Sequence, residues 1–444
     1  MYEKEFEFIL NYARDIVDDI EILLFEESSF STRIHSQEIE AFNYSDTKGI
    51  GIRILKNGKV GIAYTEKFDE DSFQLIVNEA IENSELIEND DEVIFENYPD
   101  VDTDLQFYSS QLDEIKVEDK IEFTKNMEKF CRAADDRIIN VPYSMMGNGK
   151  YFVKIANSKG LSKEEMQNIA YAYVGCLAAD KEDKRMAFEF QIGRDFSKFD
   201  SHKLAEKSAE KSIELLGGKD IKTGKYPIVL NNEMMATILS TFSGIFSAKS
   251  VQEGKSLLSG KLQQKIANKN ISIVDDALHP EGSGSRSFDR EGYPSQRTVL
   301  IDKGVLKTYL HNTVTARKDK TKSTGNAVRN YKSSLSIATT NFYLEPGNIS
   351  RKELFNQHPQ IVEIVSLQGM HSGANPISGD FSLSGEGYLW EKGERKYSLK
   401  QFTISGNFLE LLNNVETIAD DFLFNISSFG ASSVLIKELA ISSS

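Results

Sequence analysis

Between residues 50 and 64 the chain alternates in a way that few folds accommodate. Ile50, Ile52 and Ile54 are separated by smaller or polar residues, Asn57-Gly58 follows, and Val60, Ile62 and Tyr64 resume the alternation. A period of two places such residues on one face of a pleated strand. Asn-Gly suits a two-residue hairpin turn, where both central residues take positive φ. The opening of the chain is therefore expected to hold an antiparallel sheet with one buried face.

Helical spacing surrounds this hairpin. Phe6, Ile9, Leu10, Ala13, Ile16 and Val17 predict a helix over 3–19. Glu21 to Phe25 and Ser31 to Tyr44 read as two strands. Helices are expected over 71–87, 117–134 and 202–216, the last stopping at Gly217-Gly218. The stretch 88–116, with Glu88, Asp90, Asp91 and Glu92, reads as a connection. Strand-like segments after 134 are punctuated by Gly147-Asn148-Gly149, Asn157-Ser158-Lys159-Gly160 and Lys181-Glu182-Asp183-Lys184.

With 444 residues the chain exceeds one ordinary core. Residues 217–226, with two glycines and the Thr223-Gly224 turn, mark the boundary, giving domains 1–222 and 223–444. Beyond it the texture is rich in glycine, serine and asparagine. Thr298–Ile301 and Val305–Leu310 read as a hairpin around Asp302-Lys303-Gly304, with further strands at 335–343, 361–367, 380–390 and 397–405.

The formal net charge of −16 argues against nucleic acid as a partner, since phosphate backbones require clustered Lys and Arg. The cluster Arg317, Lys318, Lys320 and Lys322 reads as a solvated loop. The opening Met-Tyr-Glu-Lys-Glu-Phe-Glu lacks the pattern of a secretion signal, and no apolar run approaches the length of a membrane span. A cytoplasmic location and no membrane partner are expected. Cys131 and Cys176, set in apolar patterns, read as buried, inert thiols.

Local motifs for hydrolysis are absent. No two of His35, His202, His279, His311, His358 and His371 lie within five residues, so no HExxH exists. Ser283 follows His279-Pro280 rather than a strand, and Ser372 beside His371 reads as a loop pair. The glycines at 369, 373, 379, 385 and 387 open no helix and read as tight turns or close backbone contacts.

One region carries more. It runs Asp289-Arg290-Glu291-Gly292-Tyr293-Pro294 to Thr298, then Ile301 to Tyr309, then Thr324-Gly325-Asn326-Ala327-Val328-Arg329. Gly369-Met370-His371-Ser372-Gly373-Ala374-Asn375, Ser378-Gly379-Asp380-Phe381-Ser382 and Thr403-Ile404-Ser405-Gly406-Asn407 follow in order. With Arg53 and the 57–61 hairpin upstream, this succession resembles the PmbA/TldD peptidase family, also labelled modulators of DNA gyrase, over nearly the whole chain. The resemblance implies an α+β fold of two domains. The N-terminal domain is an antiparallel sheet with helices. The C-terminal domain is dominated by a curved antiparallel β-sheet, with a helix near 233–247.

TldD-type chains of that family hold zinc through HExxxH on a helix and a later cysteine. Counting back from Ser256-Leu257-Leu258-Ser259-Gly260, those motif positions fall on Leu239, Ser240 and Gly244, and no cysteine follows Cys176. The resemblance is thus to the PmbA (TldE) branch. It implies a non-catalytic subunit without a cofactor of its own, zinc being held by a TldD-type partner carrying HExxxH. The pair would act on unfolded peptides, and the chain would form a heterodimer or a homodimer. Arg297, Gly325, Asn326, Arg329, His371 and Asp380 are the candidates for a peptide groove. Two alternatives remain at this point: an autonomous hydrolase using His371, Asp380, Asp289 and Arg329, and a non-enzymatic scaffold homodimer.

Overall fold

The structure is a computed structural model, and it describes residues 1–86, 93 and 95–443. The acidic part of the expected connection, Glu88 and 90–92, lies outside the described residues. The protein is α+β.

The N-terminal half is built on one antiparallel sheet. Its strands are β1 (Asp19–His35), β2 (Glu38–Lys56), β3 (Lys59–Thr65), β4 (Ile138–Asn157), β5 (Ser162–Asp180) and β6 (Asp183–Gly193), in the order β3-β2-β1-β4-β5-β6. Helices α1 (Glu3–Ala13) and α2 (Glu70–Leu86) bury Phe6, Ile9, Phe73 and Ile76 against Ile22, Leu24, Ile50 and Ile52. After the single turn α3 (Ser110–Asp113), helices α4 (Val117–Ala134) and α5 (Ser201–Glu214) cover Met146, Ala172, Val174 and Cys176. The registers Leu24↔Lys154, Lys154↔Glu164 and Met146↔Ala172 put both helical layers on the same face. The opposite face, with Leu23, Val153 and Ile155, is left for the second half of the chain.

Sequence and structure differ here in instructive ways. The Asn57-Gly58 hairpin forms as expected, with φ of 53° and 76°. The expected strands 21–25 and 31–44 are instead β1, a turn and the start of β2. That turn is Ser36-Gln37, both at positive φ. Neither residue type signals such a turn; the carboxylate of the fully buried Glu128 on α4 accepts both backbone N–H groups at 2.7 Å. The turn is thus fixed by a distant side chain. The first helix ends at Ala13 rather than 19. Gly147-Asn148-Gly149 is no turn but the middle of β4, where a Cβ on Gly147 would lie 2.6 Å from the Tyr171 hydroxyl.

The C-terminal half begins with β7 (Gly224–Leu230), α6 (Asn232–Phe242), α7 (Ala248–Gln252), β8 (Ile273–Asp276), β9 (Arg297–Asp302), β10 (Val305–Leu306) and α8 (Thr313–Lys318). A small ladder of β11 (Ala327–Val328) and β12 (Ser336–Ile337) follows, then β13 (Phe342–Leu344), α9 (Arg351–Leu354), β14 (Gln360–Gln368), α10 (Met370–Gly373), β15 (Asp380–Glu391) and β16 (Glu394–Asn407). The chain finishes with α11 (Phe408–Asn413), β17 (Val415–Ile418), β18 (Leu423–Phe424), β19 (Phe429–Ala431) and β20 (Val434–Ser443). One sheet has the order β16-β15-β14-β7-β20-β17, and β16 also pairs β20, so it curls into a barrel-like form. The second runs β10-β9-β8-β13-β19-β18. Helix α6 joins the core shared by the two sheets through Met235, Ala236, Ile238, Leu239 and Phe242. The expected curved sheet is therefore present, with one parallel pair, β7–β14, inside it and another, β13–β19, in the second sheet. Strands β17 and β20 had no counterpart among the expected elements. Among the described residues no helix is long and apolar enough to cross a membrane.

Candidate functional site

The motif-bearing segments from 286 to 329 lie along the seam between the two halves. Glu21 on β1 accepts from Arg53 Nε at 3.0 Å and pairs also with Arg329. Arg53 Nη2 reaches on to Glu291 at 3.3 Å, and Glu291 accepts from the backbone and hydroxyl of Thr313 at 2.9 and 2.6 Å. Every member is buried. Burial alone would lower the Arg53 pKa, but Glu21 and Glu291 outweigh it and hold it above its usual value. Arg329 is pulled down to about 10 by burial, with Arg53 pushing the same way.

The Thr324-Gly325-Asn326 turn is fixed by the same chemistry. Gly325 takes φ +74°, a conformation that disfavours side chains. Asn326 Nδ2 donates to Asp275 at 2.7 Å and to the Ala338 carbonyl at 3.0 Å. Asp289 accepts the backbone N–H of Glu291, Tyr293 and Ala327 at 2.9–3.0 Å, tying the two motif segments together. These groups are satisfied and closed from solvent, which suits bracing rather than reaction.

Of the six groove candidates, the structure gathers Gly325, Asn326 and Arg329 into this seam. Arg297 is exposed at the start of β9 and pairs with Glu345. His371 and Asp380 are exposed around α10 and the start of β15, and Asp380 accepts from Asn407 at 2.9 Å. Asp289 and Arg329 are buried while His371 and Asp380 are exposed, and no hydrogen bond links the two pairs. Ser283 touches Ser428, and His279 is packed among the rings of Tyr343 and Phe424. Cys131 and Cys176 are free and buried.

The buried acids of the seam should make stability depend on pH. Burial, then the charge of Glu291, pushes Asp289 up to about 7, and burial pushes Asp275 up to about 6. A raised acid means that the folded chain keeps a proton that the unfolded chain releases near pH 4. The contribution of Asp289 is therefore lost as pH rises from about 4 to about 7, by at most about 1.4 kcal/mol per unit. His279 and His311, lowered by burial, tilt the absolute profile the other way. The comparison with Asp289→Asn isolates the effect: wild-type stability minus variant stability should fall between pH 4 and 7 in urea melts, and a level difference would refute it.

Sequence reasoning missed a cleft of about 630 Å³ between β6 and α5 on one side and β14, β15 and the start of α6 on the other. Phe188, Leu215, Met234 and Leu367 give it apolar walls. At its base Glu363, 1 % exposed, accepts from Trp390 Nε1 at 2.8 Å and pairs with Arg351. Burial raises its pKa. The signal was a lone carboxylate within the apolar run Ile361-Val362-Glu363-Ile364-Val365.

The positions that correspond to HExxxH lie at the end of α6 and just past it. Leu239 is buried in the core, Ser240 is half-buried and Gly244 is exposed. A hydrocarbon, a hydroxyl and a hydrogen do not fit a zinc ligand set. Among the described residues no three His, Cys, Asp or Glu side chains converge as metal ligands would.

Three family models cover the chain: PmbA/TldA metallopeptidase domain 1 over 20–84, the central domain over 110–216 and the C-terminal domain over 223–443. The chain belongs to the PmbA/TldD family. It is 26% identical to the metalloprotease PmbA homolog of Buchnera aphidicola, with 98% of this chain and 95% of that protein covered. A Thermotoga maritima crystal structure, named as a candidate modulator of a DNA gyrase, matches with a TM-score of 0.93 at 29% identity over the whole of both chains. TldE from Thermococcus kodakarensis matches with a TM-score of 0.90 at 21% identity, covering 99% of this chain and 100% of that one; that likeness is one of fold. The domain 1 and central-domain matches share the single six-stranded sheet described above.

Proposed function

We propose that this chain is the PmbA/TldE-type subunit of a cytoplasmic peptidase assembly, holds no zinc itself, and completes a TldD-type partner that does. The assembly acts on unfolded peptides, in proteolysis or peptide maturation. The observation that carries this reading is the residue set at 239, 240 and 244. A metallopeptidase needs imidazole and carboxylate ligands there, so that the metal polarises water and the scissile carbonyl. Here Leu239 is spent on core packing, and Ser240 and Gly244 offer neither imidazole nor carboxylate.

Two further features support a role in assembly. The N-terminal sheet leaves Phe188 45 % exposed on its helix-free face, with the half-buried Tyr143 and Tyr173 beside it. Aromatic surface of this kind suits a protein partner. The cleft beside Glu363 offers apolar walls and fixed charges to an extended chain.

Elemental analysis tests the reading. The purified chain should contain no stoichiometric zinc, and a mixture with a TldD-type subunit should contain about one zinc per pair, with chelator-sensitive cleavage of unfolded peptide only in the mixture. Stoichiometric zinc in the chain alone, or zinc-dependent cleavage by it alone, would overturn the proposal.

A further inference from the structure

Arginine in this protein is nearly always matched to a carboxylate. Arg33, Arg53, Arg132, Arg137, Arg185, Arg297, Arg317, Arg329, Arg351 and Arg395 all sit in ion pairs. The exposed Arg14 needs none. Three others depart from the pattern, and they come together. Among the described residues no acid pairs with Arg194, Arg286 or Arg290.

The three meet on the helix-free face of the N-terminal sheet. Arg194 directly follows β6 and donates through Nε to the Phe107 carbonyl at 3.0 Å. Arg286 and Arg290 belong to the loop laid across β5, where Glu165 accepts from Ser287 N at 2.6 Å. The Arg290 guanidinium lies 6.0 Å from the Phe25 ring, which stacks on Tyr151 at 6.1 Å. The Tyr151 phenol feels all three guanidinium charges, together with that of the Glu165 carboxylate.

This charge is only partly offset from within. Glu165 acts on Arg194 and Arg290, and Asp289 on Arg286 and Arg290, but neither acid makes an ion pair with them, and Glu165 spends its hydrogen bonds on Ser287 and Gln167. Arg286 is 8 % exposed, and its Nε has no partner; neither has the buried Nη1 of Arg290. Leaving a guanidinium out of water without a counterion costs several kcal/mol. Yet Arg194, Arg290, Phe25 and Tyr151 are only half-buried, so the outer side of the group is reachable.

We infer that Arg194, Arg286 and Arg290 form an oxyanion-binding recess, whose ligand presents two or more oxygens to the guanidinium groups. Guanidinium forks match carboxylate and phosphate oxygens in pairs. The rings of Phe25 and Tyr151 supply an apolar wall beside the charge. Two sources share this chemistry: free inorganic phosphate and the terminal carboxylate of a peptide. The inference stands apart from the zinc question and from the proposed partner.

Titration calorimetry on the full chain separates the outcomes. Inorganic phosphate, N-acetyl-Ala-Phe and its C-terminal amide are titrated at ionic strength matched with sodium chloride. Saturable single-site binding of phosphate alone assigns a free anion; binding of the dipeptide that amidation abolishes assigns a peptide terminus. Arg194→Gln and Arg290→Gln should each weaken that binding about tenfold or more. Arg317→Gln, in an ion pair with Glu96 outside the recess, should leave it unchanged. Without ligand, Arg290→Gln should melt no lower than wild type, because it removes a guanidinium that no ion pair holds. Either of two results would overturn the recess: no saturable binding of phosphate or dipeptide, or undiminished binding in every variant that folds.

Discussion

Glu21→Gln should cost the protein about 3–5 kcal/mol, the largest loss expected from a single charge change. Glu21 is 2 % exposed and is the counterion that Arg53 and Arg329 share. Glutamine keeps the shape but leaves two buried guanidinium groups with Glu291 alone. Because the three residues come from β1, β2 and the loop after β11, the loss should appear in both halves together. Urea unfolding followed by intrinsic fluorescence and by far-UV circular dichroism reads it as a lower midpoint by both probes. Adding Arg329→Met to the variant should recover part of the loss, since it removes one orphaned charge. A midpoint within about 0.5 kcal/mol of wild type would show that the seam is hydrated and its charges screened.

Phe242→Ala should cost a comparable 3–5 kcal/mol, for a different reason. Phe242 is fully buried on α6; its ring stacks on Phe408 at 4.7 Å and meets Phe381 at 6.4 Å. Truncation leaves a cavity between two helices, α6 and α11, and strand β15 of a closed sheet, which cannot collapse to fill it. Phe242 lies inside the stretch that corresponds to HExxxH, so the test also reports what this helix does in the absence of ligands. Differential scanning calorimetry measures it, and a loss below about 1 kcal/mol would argue that α6 is loosely held.

Local signals were readable where local physics decides. The Asn57-Gly58 hairpin, α2 and α4 follow from turn chemistry and periodicity, and the structure places them within a residue of the expectation. The Ser36-Gln37 turn was not readable, because its cause is Glu128, some ninety positions away. Strand β20 was missed because Val434 to Ala440 mixes apolar residues with Lys437 and Glu438. Of the candidate site, Gly325, Asn326 and Arg329 were legible as a motif; that they brace a seam depends on Glu21 and Asp275, which no local pattern marks. The cleft at Glu363 and the unmatched arginines arise from several elements at once. Neither has a sequence period to betray it.

The place of β20 in the barrel-like sheet bears on how the protein is made. It pairs with β7 along one edge, Leu230 opposite Val434 and Gly224 opposite Ile441, and with β16 and β17 besides. A chain emerging amino end first can zip β1–β3 and β4–β6 through hairpins soon after synthesis of each. The second half cannot close until residues 434–443 have left the ribosome. Until then β7 presents Ile228, Val229 and Leu230 along an unpaired edge, an invitation to aggregation. Translation that stalls shortly before Val434 should therefore leave a soluble amino-terminal half attached to a sticky, chaperone-bound remainder.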